Sequence, residues 1–146
     1  MEEKPVRGLI IMHRWVVVVA VVVATIVLAA CSSGNSLTGK SWQWISWTTV
    51  TPQSQSEVPD PTSYTIEFRS DGTLQAKADC NTVSGTYTSS ASGGLKIYPA
   101  PSTLAACGAD SMSEIFVEKL GLAISYTFFR SEMTINLQDL GTMQFK

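Results

Sequence analysis

The sequence has 146 residues, with 10 Lys/Arg against 12 Asp/Glu, a formal net charge of −2 and one histidine. Its charges are scattered, with no basic run and no basic strand face, which argues against a nucleic-acid partner. With no histidine cluster, phosphate-cradling loop or calcium loop, it also offers little for metal, nucleotide or general-base chemistry.

Lys4, Arg7 and Arg14 precede an unbroken apolar run from Trp15 to Ala30, rich in Val and Ala. A basic flank, a short apolar core and small residues form the layout of a secretory signal. The run is shorter than the roughly 20 residues that comfortably span a bilayer. It ends in Leu28-Ala29-Ala30-Cys31-Ser32, which resembles the bacterial lipobox. That resemblance implies diacylglyceryl attachment at the Cys31 sulfur, cleavage before Cys31 and acylation of the new N-terminus. Residues 1–30 are therefore expected to be a lipoprotein signal peptide; the competing reading is an uncleaved membrane anchor with an incidental cysteine. Met12-His13-Arg14-Trp15 would also open a compact signal.

Ser32 to Ser36 are small and polar, so 31–36 reads as the lipidated cysteine and a flexible tether. Two or three acyl chains anchor far more firmly than one. The expected location is the cell envelope, lipid-anchored to the membrane and facing the periplasm or exterior. Ser32 carries no inner-membrane retention signal of the Asp type.

Residues 37–146 are enough for one compact core. They hold seven Lys/Arg (Lys40, Arg69, Lys77, Lys96, Lys119, Arg130, Lys146) against ten Asp/Glu, and no histidine, since His13 leaves with the signal. One cysteine is lipidated, and Cys80 and Cys107 remain in a compartment that permits disulfides. The expectation is a Cys80–Cys107 crosslink, the alternative being two free buried thiols.

Trp42, Trp44 and Trp47 fall in a strand-favouring stretch. Strict alternation puts Trp42 and Trp44 on one face and Trp47 on the other, unless a bulge or bend near Ile45 reconciles them. Residues Thr51 to Thr62, with Pro52, Pro59 and Pro61, read as an exposed connection. Tyr64 to Arg69 alternates as a half-buried strand, and Asp71-Gly72 signals a hairpin. The return strand places Leu74, Ala76, Ala78 and Cys80 on one, inward, face. Gly85–Thr88 and Leu95–Tyr98 continue as strands around a Gly/Ser turn.

Ser111-Met112-Ser113-Glu114 has capping-box spacing. Met112, Ile115, Phe116 and Leu120 form an apolar stripe at helical spacing, with Gly121 as terminator. One helix near 111–120 is expected. Strands return at Ala123 to Arg130, Met133 to Leu137 and Thr142 to Phe145. The result is a mainly β (α+β) chain, an antiparallel barrel-like sheet of eight or nine short strands with one helix.

The order of motifs resembles the META domain, the HslJ-like family of bacterial envelope proteins. Leu37-Thr38-Gly39-Lys40-Ser41-Trp42, Tyr64-Thr65-Ile66-Glu67-Phe68, Asp71-Gly72 and Asp79-Cys80-Asn81 carry it first. Gly85-Thr86-Tyr87, Ser102-Thr103-Leu104-Ala105-Ala106-Cys107, Glu114, Phe116, Leu120 and Gly141-Thr142-Met143-Gln144-Phe145 complete it. Many members read Gly-Cys-Asn where this chain has Asp79-Cys80-Asn81. The resemblance implies a small β-rich domain at 37–146, and associates it with envelope and stress functions. It brings no active site with it.

Function reads as non-enzymatic. Glu67, Asp71 and Asp79 could supply a carboxylate pair, but they sit at turn and outward strand positions. Trp47, Trp44 and Asn81 are the candidate binding surface, because Trp supplies much contact area at recognition sites. For Asn81 the turn-organising role is the favoured reading, since Asn tolerates the left-handed conformation. No cofactor or metal is expected. The expected partners are the membrane, through Cys31, and an envelope protein or small apolar ligand. Binding of an envelope component, or support of stress or drug tolerance, is the first reading. Inhibition of an external hydrolase such as lysozyme, or carriage of an apolar ligand in the barrel mouth, are the alternatives.

Overall fold

The structure, a computed structural model, describes residues 36–100 and 105–146. Cys31, the signal segment and residues 102–104 of the motif before Cys107 lie outside the described residues. In chain order the described elements are β1 (Ser41–Val50), β2 (Gln53–Glu57), β3 (Tyr64–Phe68), β4 (Thr73–Ala78), β5 (Asn81–Ser89) and β6 (Leu95–Pro99). Then come α1 (Ser113–Gly121), β7 (Ala123–Phe129), β8 (Glu132–Leu137) and β9 (Thr142–Phe145). A single 3-10 turn at Pro61–Ser63 precedes β3.

The strands pair antiparallel in the order β6-β5-β4-β3-β1-β9-β8-β7, with β2 also on β1. The outer strands approach each other. Gly94 bridges Ser125, and Tyr126 N–H donates to Gly93 C=O at 2.8 Å. The sheet is thus a nearly closed, barrel-like one, as expected from the hairpin spacing.

β1 is the strand on which the sheet turns. It pairs β9 in regular register at Trp44↔Phe145, slips by one residue, and resumes at Ser46↔Gln144 and Trp47↔Met143. Ile45 is the extra residue of a bulge, and its carbonyl accepts from Val58 N–H at 2.9 Å. A bulge bends its strand and inverts the facing pattern beyond it. Trp42 and Trp44 therefore point inward before the bulge, and Trp47 faces inward after it beside Met143. On its other edge β1 changes partner at the same place, from β3 to β2. The connection expected over Thr51–Thr62 is in part this β2 strand. Its Gln/Ser composition hides it, because the strand is almost wholly exposed and has no apolar face to bury.

The interior is apolar and filled. Trp42, Trp44, Ile66, Phe68, Phe116, Met133, Ile135, Met143 and Phe145 are each no more than 1% exposed. Alternation is obeyed on β3, β4, β8 and β9, whose buried positions fall on every second residue. At the expected hairpin, Gly72 takes φ 83° and Thr73 N–H donates to Asp71 Oδ1 at 2.9 Å.

α1 lays Phe116 and Leu120, one turn apart, into this core. The expected capping box does not form. Ser111 is occupied in a turn, donating its N–H to Gly108 C=O at 3.0 Å, and the helix begins at Ser113. Met112 N–H donates to the Tyr64 hydroxyl at 2.9 Å, which ties the helix start to β3. Ile115, expected on the apolar stripe, is exposed on the far side of the helix.

Candidate functional site

The tryptophan strand splits its three rings between core and surface. Trp42 is fully buried and its Nε1–H donates to Leu37 C=O at 2.9 Å, fastening the start of the domain. Trp44 is fully buried as well, stacked on Phe116 at 5.1 Å and edge-on to Tyr64 at 5.9 Å. It cannot form part of a binding surface, because parity and the bend at Ile45 aim it at the barrel centre. Trp47 is half-buried and meets Trp44 at 5.1 Å. Of the two rings expected at a surface, only Trp47 presents any edge.

The second expected locus is the bracket from Cys80 to Cys107, which are joined by a disulfide with Cα atoms 5.8 Å apart. Cys80 is exposed rather than inward. Alternation in β4 ends at Ala78, and Ala78 pairs directly with Asn81. Asp79 and Cys80 form the two-residue turn between them, with Asp79 at φ 59°. That left-handed residue, tolerated by Asp, turns Cys80 outward.

Asn81 is buried and takes no part in a surface either. Its Oδ1 accepts Ala105 N–H at 2.8 Å, and its Nδ2 donates to Ala105 C=O at 3.0 Å. The same Nδ2 lies 3.1 Å from the Cys107 sulfur. Through these bonds Asn81 docks residues 105–107, which end at the disulfide, against the start of β5. Its partner is 24 residues away, so neither spacing nor turn propensity could have assigned it.

Beside the bracket a cleft of about 260 Å³ opens between the 3-10 turn and the segment after Cys107. Asp60, Tyr64, Asp79 and Asp110 line it. Asp60 is committed: it caps the turn by accepting Thr62 N–H and Oγ1–H on one oxygen and Ser63 Oγ–H on the other. The Thr62 hydroxyl, then the Ser63 hydroxyl, hold its carboxyl below the usual range. Sequence reasoning passed over this cleft, since its walls come from three separated segments. Among the described residues no group of three or more His, Cys, Asp or Glu is placed to hold a metal.

The carboxylates weighed for acid–base chemistry are not brought together. Asp71 lies in the β3–β4 turn, hydrogen-bonded to Thr73 at both N–H and Oγ1. Asp79 lies at the other end of β4. Glu67 meets Arg69 at 3.7 Å on the exposed face. A second depression, about 600 Å³, lies on the β1–β2 hairpin between Thr48–Val50 and Gln53–Gln55. Both depressions are on the surface. The barrel interior is occupied by its own apolar side chains.

A family model described as META domain matches residues 35–146. Among solved structures, a DUF4847 family protein from Bacteroides vulgatus matches with a TM-score of 0.58 at 16% identity, covering 75% of this chain and 92% of that one. The NMR structure of a protein from Burkholderia xenovorans matches with a TM-score of 0.59 at 16% identity, covering 75% and 82%. At such identity the likeness carries the fold alone. Comparison with curated proteins finds no match.

Proposed function

The chain belongs to the META domain family, and on that premise we propose that it is a lipid-anchored envelope protein without catalysis of its own. It acts by binding an envelope component at the membrane surface, and so supports stress or drug tolerance. The observation that carries this reading is the Cys80–Cys107 disulfide. A paired disulfide suits an oxidising compartment outside the cytoplasm. It also leaves Cys31, in its lipobox-like setting, as the one cysteine outside the pair. Support for a binding rather than a catalytic role comes from the separation of Glu67, Asp71 and Asp79 and from the filled interior.

The anchor is tested by detergent-phase partitioning of the full-length protein and of its Cys31→Ala variant. Partitioning into detergent that disappears in the variant is expected; equal behaviour of the two would sink the lipoprotein reading. The role is tested by a deletion strain challenged with envelope stress and antibiotics. Growth indistinguishable from the parent under every challenge would count against it.

A further inference from the structure

The end of the barrel where the domain begins carries an exposed aromatic ring, Phe129, with Arg130 over it and Lys40 bound to the adjoining turn. Leu37 is its first core residue, and Thr38 bridges Phe68. Lys40 Nζ lies 3.5 Å from the Trp42 ring centroid and donates to Ser131 C=O at 3.3 Å. Ser131 belongs to the Arg130–Ser131 turn joining β7 to β8, with Arg130 at φ 54°. The β7–β8 turn therefore abuts the start of the domain. Phe128 points inward and stacks on Trp42 at 5.5 Å. Phe129 must then point outward, and it is 71% exposed. The Arg130 guanidinium sits 5.2 Å from its ring.

We propose that Phe129 inserts into the interfacial layer of the membrane to which the chain is tethered, with Lys40 beside it facing lipid phosphates, so that the barrel stands on its β7–β8 turn. This rests on the reading of Cys31 as the lipid anchor. From Cys31 to Leu37 the chain can reach roughly 20 Å, at about 3.3–3.6 Å per residue. A domain of this size is itself roughly 30 Å across. The tether is thus shorter than the body it holds, and the end bearing Lys40 and Phe129 stays nearest the lipid. A short tether also makes the contact intramolecular at high effective concentration, so a weak contact suffices. An aromatic ring with adjacent cations fits the headgroup boundary, where rings partition and Lys and Arg meet phosphates. Glu132 pairs with Phe129 in the sheet, so local charge is mixed and the ring carries the contact. A modest salt dependence follows.

The experiment places the photo-crosslinker benzoylphenylalanine at position 129 or 140 of the full-length lipidated protein, in vesicles of phosphatidylethanolamine and phosphatidylglycerol. Leu140 is the control: 74% exposed, but in the turn at the other end of β8. Lipid adducts at 129 and their loss at 140 are expected. Membrane-bound protein that gives no lipid adduct at 129, equal adducts at both positions, or a protein adduct at 129 in native membranes would overturn the proposal while leaving the anchor standing. Protein that does not co-sediment with the vesicles would overturn the anchor and the proposal together. An independent arm uses Phe129→Ser, whose exposed site leaves folding intact. It should weaken protection of the β7–β8 turn from proteolysis on vesicles, and unchanged protection would also overturn the proposal.

Discussion

Asn81 grips Ala105 by both of its backbone polar groups, accepting the N–H at 2.8 Å and donating to the C=O at 3.0 Å. One side-chain amide thereby replaces a strand as the pairing partner of an otherwise irregular segment. Asn81→Ala should lower stability by about 2 kcal/mol, two modest hydrogen bonds plus the exposure of their partners to an unmatched site. Asn81→Asp should do no better, since a carboxylate cannot donate to the Ala105 carbonyl. Urea unfolding reads both, and an Asp variant with the parent midpoint would dismiss the clamp.

The two buried indoles differ in a way that truncation should expose. Trp42 Nε1–H has an acceptor in Leu37 C=O, whereas Trp44 Nε1–H is buried with none among the described residues. Replacing either by Phe leaves a void of similar size. Trp42→Phe additionally strands the Leu37 carbonyl, while Trp44→Phe removes an unmatched donor. Trp42→Phe should therefore cost about 1 kcal/mol more than Trp44→Phe. Thermal unfolding of the pair measures this, and the reverse order would show that the indole donors do not set the difference.

Asp139 links the β8–β9 turn to the helix. Its Oδ2 accepts from Lys119 Nζ at 2.6 Å and its Oδ1 from Gly141 N–H at 3.0 Å. The Lys119 hydrogen bond, with help from Gly141 and against some desolvation, holds its carboxyl below the ordinary Asp value. A depressed carboxylate contributes stability that is full above its unfolded pKa and is lost as pH falls through the folded one. The contribution should thus begin to fade as pH falls into the ordinary Asp range and vanish below the depressed value. Because the Asp139 side chain is 38% exposed, the pair should be worth only about 0.5 kcal/mol. Asp139→Asn should remove that increment at neutral pH and flatten the acid limb of stability against pH. An unchanged limb would place the acid sensitivity elsewhere.

Gly85 is required by a close approach of strands. A Cβ there would lie 2.5 Å from the Tyr98 carbonyl oxygen and 3.1 Å from Pro99 Cα. Both are backbone atoms of the paired β6, so neither can swing aside. Gly85→Ala should destabilise by about 1–3 kcal/mol, as overpacking does. Thr86→Ala, on the exposed neighbour, should be close to neutral. Comparable losses at both positions in chemical denaturation would sink the steric account.

Much of the sheet was legible because its signals are local. The alternation of Tyr64–Phe68, Thr73–Ala78 and Met133–Leu137 reports burial on one face, and Asp71-Gly72 reports a turn whose φ only such residues adopt readily. β2 was not legible, since an edge strand of Gln and Ser carries no buried face to advertise it. The face of Cys80 is not legible, because alternation stops at Ala78 and the left-handed Asp79 turns the next side chain outward. The helix starts later than the capping-box spacing suggests, because the Ser111 N–H that Glu114 would have taken is held by Gly108 C=O in a turn.

The sequence by itself determined the class of the chain: a β-rich META-type domain with one helix and two cysteines free to pair, behind a lipobox-like segment. Those features follow from side-chain periodicity and composition over a few residues, where the chain is its own context. Only the tertiary structure decided which residues reach solvent. The slip at Ile45 sent Trp44 and Trp47 to one face, burying the first and leaving the second half-covered. Contacts between distant segments spent Asn81 on Ala105 and left Phe129 bare beside the start of the domain. Exposure is a property of what packs against a residue, and here the packing partners lie tens of residues away.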